Sequence, residues 1–440
     1  MQRRRDTTKI ASIFPPLNWL GPALRLRRTA RRGSTIRYFG IPNFSAISRR
    51  RALTGAAATT WSAFSAKARA LGPPEPVEVA LLHARPSGYE GFAPGPPLRV
   101  RRGEEVHLRL VNELAEPTAM HWHGVRLINA MDGSPPLTQE GVAPGKSFDY
   151  RFIAPDAGTF WYHAPSRKPV GLYGALIVSE TEPVDVDHDV SLIFAVESSA
   201  VDVVSWKLNG APSLDITAQT NERLRLRFLN AAPSQILNLR IGGLRAFVMA
   251  TDGQPAEPFA ARDGRLSLGP GNRVDVFIDC TLFPEATAPV TIEGMAAPIA
   301  RIVCQAGTAA IKAPRQEPHP LPPNGLPERM DFARALRFEG VGSRAGVERK
   351  APLFTVKRGR TVVLKLSNPT SENAYIHLHG HSFRLLDALD DGWKPFWLDT
   401  LPLAPGTDAR VGFVADNRGK WLIEGLVGSH GADEAWFEVT

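Results

Sequence analysis

At 440 residues, with 43% hydrophobic and 22% charged residues, the chain has the composition of a soluble globular protein long enough for two to four domains. Residues 1–70 hold 15 of the 52 basic residues and one of the 44 acidic ones, Asp6, so the formal charge of +8 resides there and the rest of the chain, with 37 basic and 43 acidic residues, is mildly acidic. That distribution argues against nucleic acid as a partner of the folded part.

The leader resembles an export signal. Ser48-Arg49-Arg50-Arg51-Ala52-Leu53 is a twin-arginine pattern, followed by a mildly apolar run from Leu53 to Phe64 and by Ala66-Lys67-Ala68 and Ala68-Arg69-Ala70 as small-X-small cleavage candidates. The run is too short and polar to span a bilayer, and no later stretch is apolar enough. An amphipathic surface helix is the competing reading. Residues 1–70 are therefore expected to be an extension plus twin-arginine signal peptide, with the mature protein periplasmic; the sequence admits either a long cationic extension or a misassigned start for residues 1–45.

From Pro73 onward, short alternating runs are broken every ten or so positions by Gly, Pro, Asn or Asp, which predicts an all-β chain of sandwich domains. Clear strands are Val106-His-Leu-Arg-Leu-Val, Ser147-Phe-Asp-Tyr-Arg-Phe, Leu224-Arg-Leu-Arg-Phe-Leu and Arg273-Val-Asp-Val-Phe-Ile-Asp. A first domain is expected over 73–180, a second over 185–308, a Pro-rich linker over 309–340 and a third domain over 341–440. One motif recurs once per domain: Val106-His-Leu-Arg-Leu-Val-Asn, Leu224-Arg-Leu-Arg-Phe-Leu-Asn and Val362-Val-Leu-Lys-Leu-Ser-Asn. Three copies of one sandwich account for it. The middle copy has no following histidine pair and is expected to act as a spacer. Its two cysteines, Cys280 and Cys304, either pair as a disulfide between neighbouring strands or stay as buried thiols.

The outer copies are each followed by a His-X-His-Gly: His121-Trp-His-Gly and His377-Leu-His-Gly-His. In a strand, residues two apart share a face, so His377 and His379 project together. One such pair is usually a buried, hydrogen-bonded feature of a core. Two, on equivalent strands of two similar domains, point to imidazoles shared by one site, for which copper, zinc, iron and nickel are all suitable ions.

Together with Asn129-Ala-Met-Asp-Gly, Thr138-Gln, Phe160-Trp-Tyr-His163, Gly171-Leu-Tyr-Gly-Ala-Leu-Ile-Val, Thr251-Asp-Gly-Gln-Pro, Leu268-Gly-Pro-Gly-Asn-Arg-Val-Asp, Trp397-Leu-Asp-Thr and Gly419-Lys-Trp, these motifs resemble the multicopper oxidases over residues 75–440. The resemblance implies three cupredoxin-like Greek-key β-sandwich domains in tandem, with a blue copper in the last and a three-copper cluster between the first and last. His121 and His377 match the ligands of the cluster's lone, type 2 copper. His123 and His163 match two of three ligands of one copper of the type 3 pair, and His379 one of three of the other. His381 is expected to pack or hydrogen-bond behind the site.

Other ligand positions differ. Pro165 replaces a type 3 histidine, and Ala374 a blue-copper histidine. Counting from Trp421, Glu424, Gly425 and Leu426 stand where the family has His-Cys-His, His430 falls on the next ligand position and Ala435 on the axial one. A blue site needs a thiolate, and Gly425 has no side chain. No type 1 copper is expected, and fewer ions than the family's four. Glu424 is a candidate oxygen donor near His379, although a Glu beside a Gly in a divergent loop is more often solvated.

The expected function is therefore an exported, copper-binding oxidoreductase with type 2 and partial type 3 ligands, taking electrons from a small reductant to dioxygen without working as a standard laccase. The alternatives are a catalytically inactive periplasmic scaffold with a protein partner, whose architecture is similar to that of the family's copper-free cell-division protein, and a copper-sequestering protein, against which the scarcity of Met counts.

Overall fold

The computed structural model describes residues 80–165, 171–198, 204–306, 312–327, 329–342, 351–386, 393–427 and 432–440. The twin-arginine segment and His430 lie outside the described residues. No described helix is long and apolar enough to cross a membrane.

Six sheets stack as three β-sandwiches. In the first, a sheet ordered Gly88–Tyr89, Ala80–Arg85, Glu105–Asn112, Ser147–Ile153 faces one ordered Leu98–Arg101, Tyr173–Ser179, Gly158–His163, His121–His123. Val106, Leu108 and Leu110 point into the shared core, with Trp122, Tyr150, Phe160 and Tyr162, while the residues between them lean outward. The second sandwich has a six-stranded sheet whose middle strands are Arg223–Asn230 and Arg273–Asp279, facing a five-stranded one. The third pairs a sheet built on Arg360–Asn368 and Thr407–Ala415 with one ordered Thr355–Val356, Ala432–Val439, Gly419–Val427, Ala374–Leu378, Thr400–Leu403.

The thrice-repeated strand ends alike in each copy. Asn112, Asn230 and Asn368 are all buried. Each side-chain amide donates to two backbone carbonyls: Glu116 and Val142, Gln235 and Leu268, Glu372 and Leu403. Each amide oxygen accepts from the backbone N–H two residues on, of Leu114, Ala232 and Thr370. The side chain thus replaces a turn's missing backbone bonds and closes the loop that leads, in the outer copies, to the histidine strand.

In the middle copy the alternating arginines do not face water. Every residue of Arg223–Asn230 is buried. Arg225 pairs with Asp275 and Glu180, and Arg227 with Asp189 and Asp275 while donating to Thr159 of the first sandwich. Alternation correctly predicted a two-faced strand, but the polar face is an inter-sandwich contact. The Pro-rich segment 312–327 runs without regular structure, and Asn324 within it donates to Ala157 of the first sandwich and Gln254 of the second. Cys280 and Cys304 are free, buried thiols, and burial with Cys304 alongside pushes Cys280 up to about 11.

Candidate metal centre

Five imidazoles meet between the first and third sandwiches. His121 and His123 lie on the short strand paired with Gly158–His163, in the register His121 to His163 and His123 to Trp161. His377 lies on Ala374–Leu378, opposite Thr400 on one side and Glu424 on the other. His379 follows the strand's end, its N–H donating to the Leu422 carbonyl at 3.0 Å. All five are buried. The rings of His121 and His379 stack with centroids 3.9 Å apart, and those of His123 and His377 at 3.6 Å.

The glycine after each pair is a steric requirement. Gly124 has φ +85°, and a Cβ there would meet the Arg273 guanidinium at 2.2 Å and the Asp399 carboxylate at 2.5 Å. Gly380, at φ +64°, would drive a Cβ into the Trp421 ring at 2.2 Å. Each turn needs the left-handed region and a close approach, which only glycine combines without strain.

Hydrogen bonds set the tautomers. His121 Nδ1 donates to the Asp132 carbonyl, His377 Nδ1 to the Asp399 carbonyl and His163 Nδ1 to the Ala164 carbonyl, each at 2.9 Å. His123 donates through Nε2 to Thr400 Oγ1 at 2.9 Å, and this hydroxyl donates on to Asp399 Oδ1. These bonds turn a lone pair inward on every ring. His121 Nε2 then faces His377 Nε2 at 3.3 Å, and His123 Nδ1 faces His163 Nε2 at 3.3 Å. His379 is held through Nδ1 by Asp132 Oδ2 at 3.0 Å and Ser134 Oγ at 3.2 Å, leaving its buried Nε2 without a partner.

Two facing lone pairs need a proton or a cation between them. A separation of 3.3 Å is also close to that between two ligands on bonds of about 2.0 Å at a near-tetrahedral angle. The ligand atoms of His121, His377 and His379 lie within 4.8 Å of one another, and so do those of His121, His123 and His163. The residues therefore fit a nitrogen-liganded transition-metal ion at either location.

Burial pushes His377 down to about 4, against its hydrogen bond with Asp399, and pushes His379 down to about 4, with the neighbouring His121 charge acting in the same sense. His123 is lowered well below the usual imidazole range by burial and by His377. His121 differs: burial opposes its charge, but Asp132, aided by Glu424, leaves its pKa raised. Asp132 resists the upward push of burial through His379 and His121, and Asp399 through Arg273, so both are held well below the usual carboxylate range.

The middle sandwich is more than a spacer. Its Arg273 forms a bidentate pair with Asp399 at 2.6 and 2.8 Å, fully buried. Asp252, pushed up to about 7 by burial and by Asp399, accepts from the backbone N–H groups of Arg273, Asp399 and Thr400. These residues hold the Asp399-Thr400 pair that orients His123 and His377. Asp132, Asp399 and Arg273 sit within motifs recognisable in the sequence, but their roles depend on contacts between sandwiches that no sequence spacing encodes.

Among the altered positions, Glu424 is not in a loop: it lies within the strand Gly419–Val427 and is 4% exposed. Ala374 pairs with Val427 and Ile376 with Gly425, and Ala374 and Ile376 belong to the third sandwich's apolar core. Pro165 follows the strand that ends at His163. His381 donates toward the His379 carbonyl and packs on Phe413, Trp421 and Phe437. His188 pairs with Glu222 at 2.8 Å in the second sandwich, away from the cluster.

Three models described as multicopper oxidase match the chain, over residues 78–183, 188–284 and 322–433. The chain is 27% identical over 408 residues to the multicopper oxidase MmcO of Mycobacterium tuberculosis, covering 76% of this chain and 79% of that one. It is 28% identical over 272 residues to copper resistance protein A of Pseudomonas syringae, covering 47% and 44% respectively. The crystal structure of a multi-copper oxidase from Pseudomonas Thermotolerans superposes with a TM-score of 0.73 at 30% identity, covering 82% of this chain and 99% of that one.

Proposed function

The chain belongs to the multicopper oxidase family and has its tandem cupredoxin domains, and from that premise we propose that it is a copper-dependent oxidoreductase working with a reduced ligand set. Copper is held at His121, His377 and His379 and at His123 and His163, in fewer ions than the family's four and without a type 1 centre. The observation that carries this reading is the pair of facing imidazole nitrogens at 3.3 Å, repeated at two places beside the unpartnered Nε2 of His379. Each gap is short enough to be filled by one shared cation as well as by one proton.

Copper bound there supplies one-electron chemistry between a small reductant and dioxygen. The protein's own part is positional and electrostatic. The Asp132, Ala164 and Asp399 carbonyls and the Thr400 hydroxyl fix the ring tautomers, and the buried, ionised Asp132 and Asp399 stabilise positive charge in a water-poor site. With Ala374, Gly425 and Ala435 at the blue-copper positions, and both cysteines in the second sandwich, electrons enter at the cluster directly. The twin-arginine leader supports export to the periplasm.

Loading the purified chain anaerobically with copper(II), followed by dialysis and metal analysis, tests the site. Copper is retained, at fewer than four equivalents, and His121→Ala and His377→Ala each lower the amount retained; a wild-type chain that retains none contradicts the proposal. Oxygen uptake with a phenolic reductant tests the activity: copper retained without any oxygen consumption excludes the oxidoreductase and leaves sequestration.

A further inference from the structure

Glu424 is 4% exposed, within the strand Gly419–Val427, and no Arg or Lys forms an ion pair with it among the described residues. A buried carboxylate without a counter-charge is strongly disfavoured. The ladder sets it directly across from His377, so the two side chains emerge on one face. His121 faces His377 at 3.3 Å and stacks on His379, whose buried Nε2 has no hydrogen-bond partner among the described residues. A buried carboxylate thus shares one face of the ladder with His377, next to an imidazole nitrogen without a partner among the described residues. A single cation would answer the carboxylate and the imidazoles together.

We propose that Glu424 is an oxygen ligand, completing with His121, His377 and His379 a three-imidazole, one-carboxylate metal site. In this structure the carboxylate stands outside the triangle of imidazole ligand atoms that lie within 4.8 Å of one another. The proposal rests on the copper-site reading above and adds the chemical class of the site. Exchanging an imidazole for a carboxylate, with no thiolate available, favours divalent ions such as copper(II) and zinc(II) over copper(I).

The test compares wild type with Glu424→Gln and Glu424→His by chelator competition for copper(II), by electron spin resonance and by thermal melting with and without copper(II) or zinc(II). Glu424→Gln should retain copper roughly tenfold or more weakly, with altered hyperfine parameters. Its metal-free form should melt at or above the wild-type temperature, because a buried charge has been removed. Glu424→His, which returns an imidazole, should bind copper at wild-type strength or better and gain a nitrogen coupling. If wild type binds copper and Glu424→Gln matches it in affinity, spectrum and metal-induced melting shift, the carboxylate is not a ligand and only this inference fails. A Gln variant whose metal-free form melts well below wild type would assign Glu424 a structural role and also overturn the inference. If wild type binds neither ion, the copper-site reading falls and this one with it.

Discussion

In the third sandwich, strands Ala374–Leu378 and Gly419–Val427 set His377 opposite Glu424 and, one residue along, Ile376 opposite Gly425. Side chains alternate across a sheet, so the first pair looks toward the first sandwich and the second into the apolar core formed by Ala374, Ile376, Leu378, Ile423, Val427 and Phe437. On the first face His377 is held by polar groups: Asp399 and Thr400 grip His377, and Arg273 grips Asp399. On the second, Ala374 and Gly425 stand at two of the positions that the family resemblance assigns to blue-copper ligands, beside packed aliphatics. Two faces of one ladder can thus diverge separately, because a sheet couples them through the backbone but not through side-chain contacts.

Substitutions along the ladder can break or sharpen this contrast. Asp399→Ala should have the largest effect, since it strips Arg273 of its bidentate partner in a fully buried site. A stability loss of about 3–5 kcal/mol in urea unfolding is expected, together with weaker copper retention, because His123 and His377 lose their anchor. Ile376→Ala, on the core face, should cost about 2–5 kcal/mol and leave copper affinity at the wild-type value; a parallel loss of copper would show that the two faces are not independent. Ala374→His puts an imidazole into a filled core and should destabilise by about 1–3 kcal/mol without adding a copper equivalent in metal analysis. Gly425→Cys should change stability by about 1 kcal/mol or less and produce no intense visible thiolate-to-copper band, because Ala374 and Ala435 still offer no ligand.

Much of this was legible in the sequence, and for identifiable reasons. Strand periodicity, the Asn that closes each repeated strand and the two His-X-His-Gly segments are local patterns, and local geometry executes them directly. Counting from Trp421 brought Glu424 into register with the histidine segment, and the uninterrupted strand Gly419–Val427 sets it opposite His377. What the sequence did not convey was long-range. Glu beside Gly suggested a solvated loop, but pairing with the His377 strand on one side and Ala432–Val439 on the other buries it. Alternation does not say what meets a strand's polar face, and here Arg223, Arg225 and Arg227 are buried against Asp279, Asp275 and Asp189. The middle sandwich, without histidines, looked like a spacer; its contribution passes through Arg273 and Asp252 to Asp399, a chain of contacts spanning 147 residues of sequence between Asp252 and Asp399.

The central claim is that the metal-facing side of the ladder still binds copper while the core side does not. Electron spin resonance and visible absorption of the copper(II)-loaded wild-type chain address both halves in one sample. The account predicts a type 2 copper signal with nitrogen couplings and no intense thiolate-to-copper band. An intense blue colour, or a dialysed sample free of copper, would contradict it.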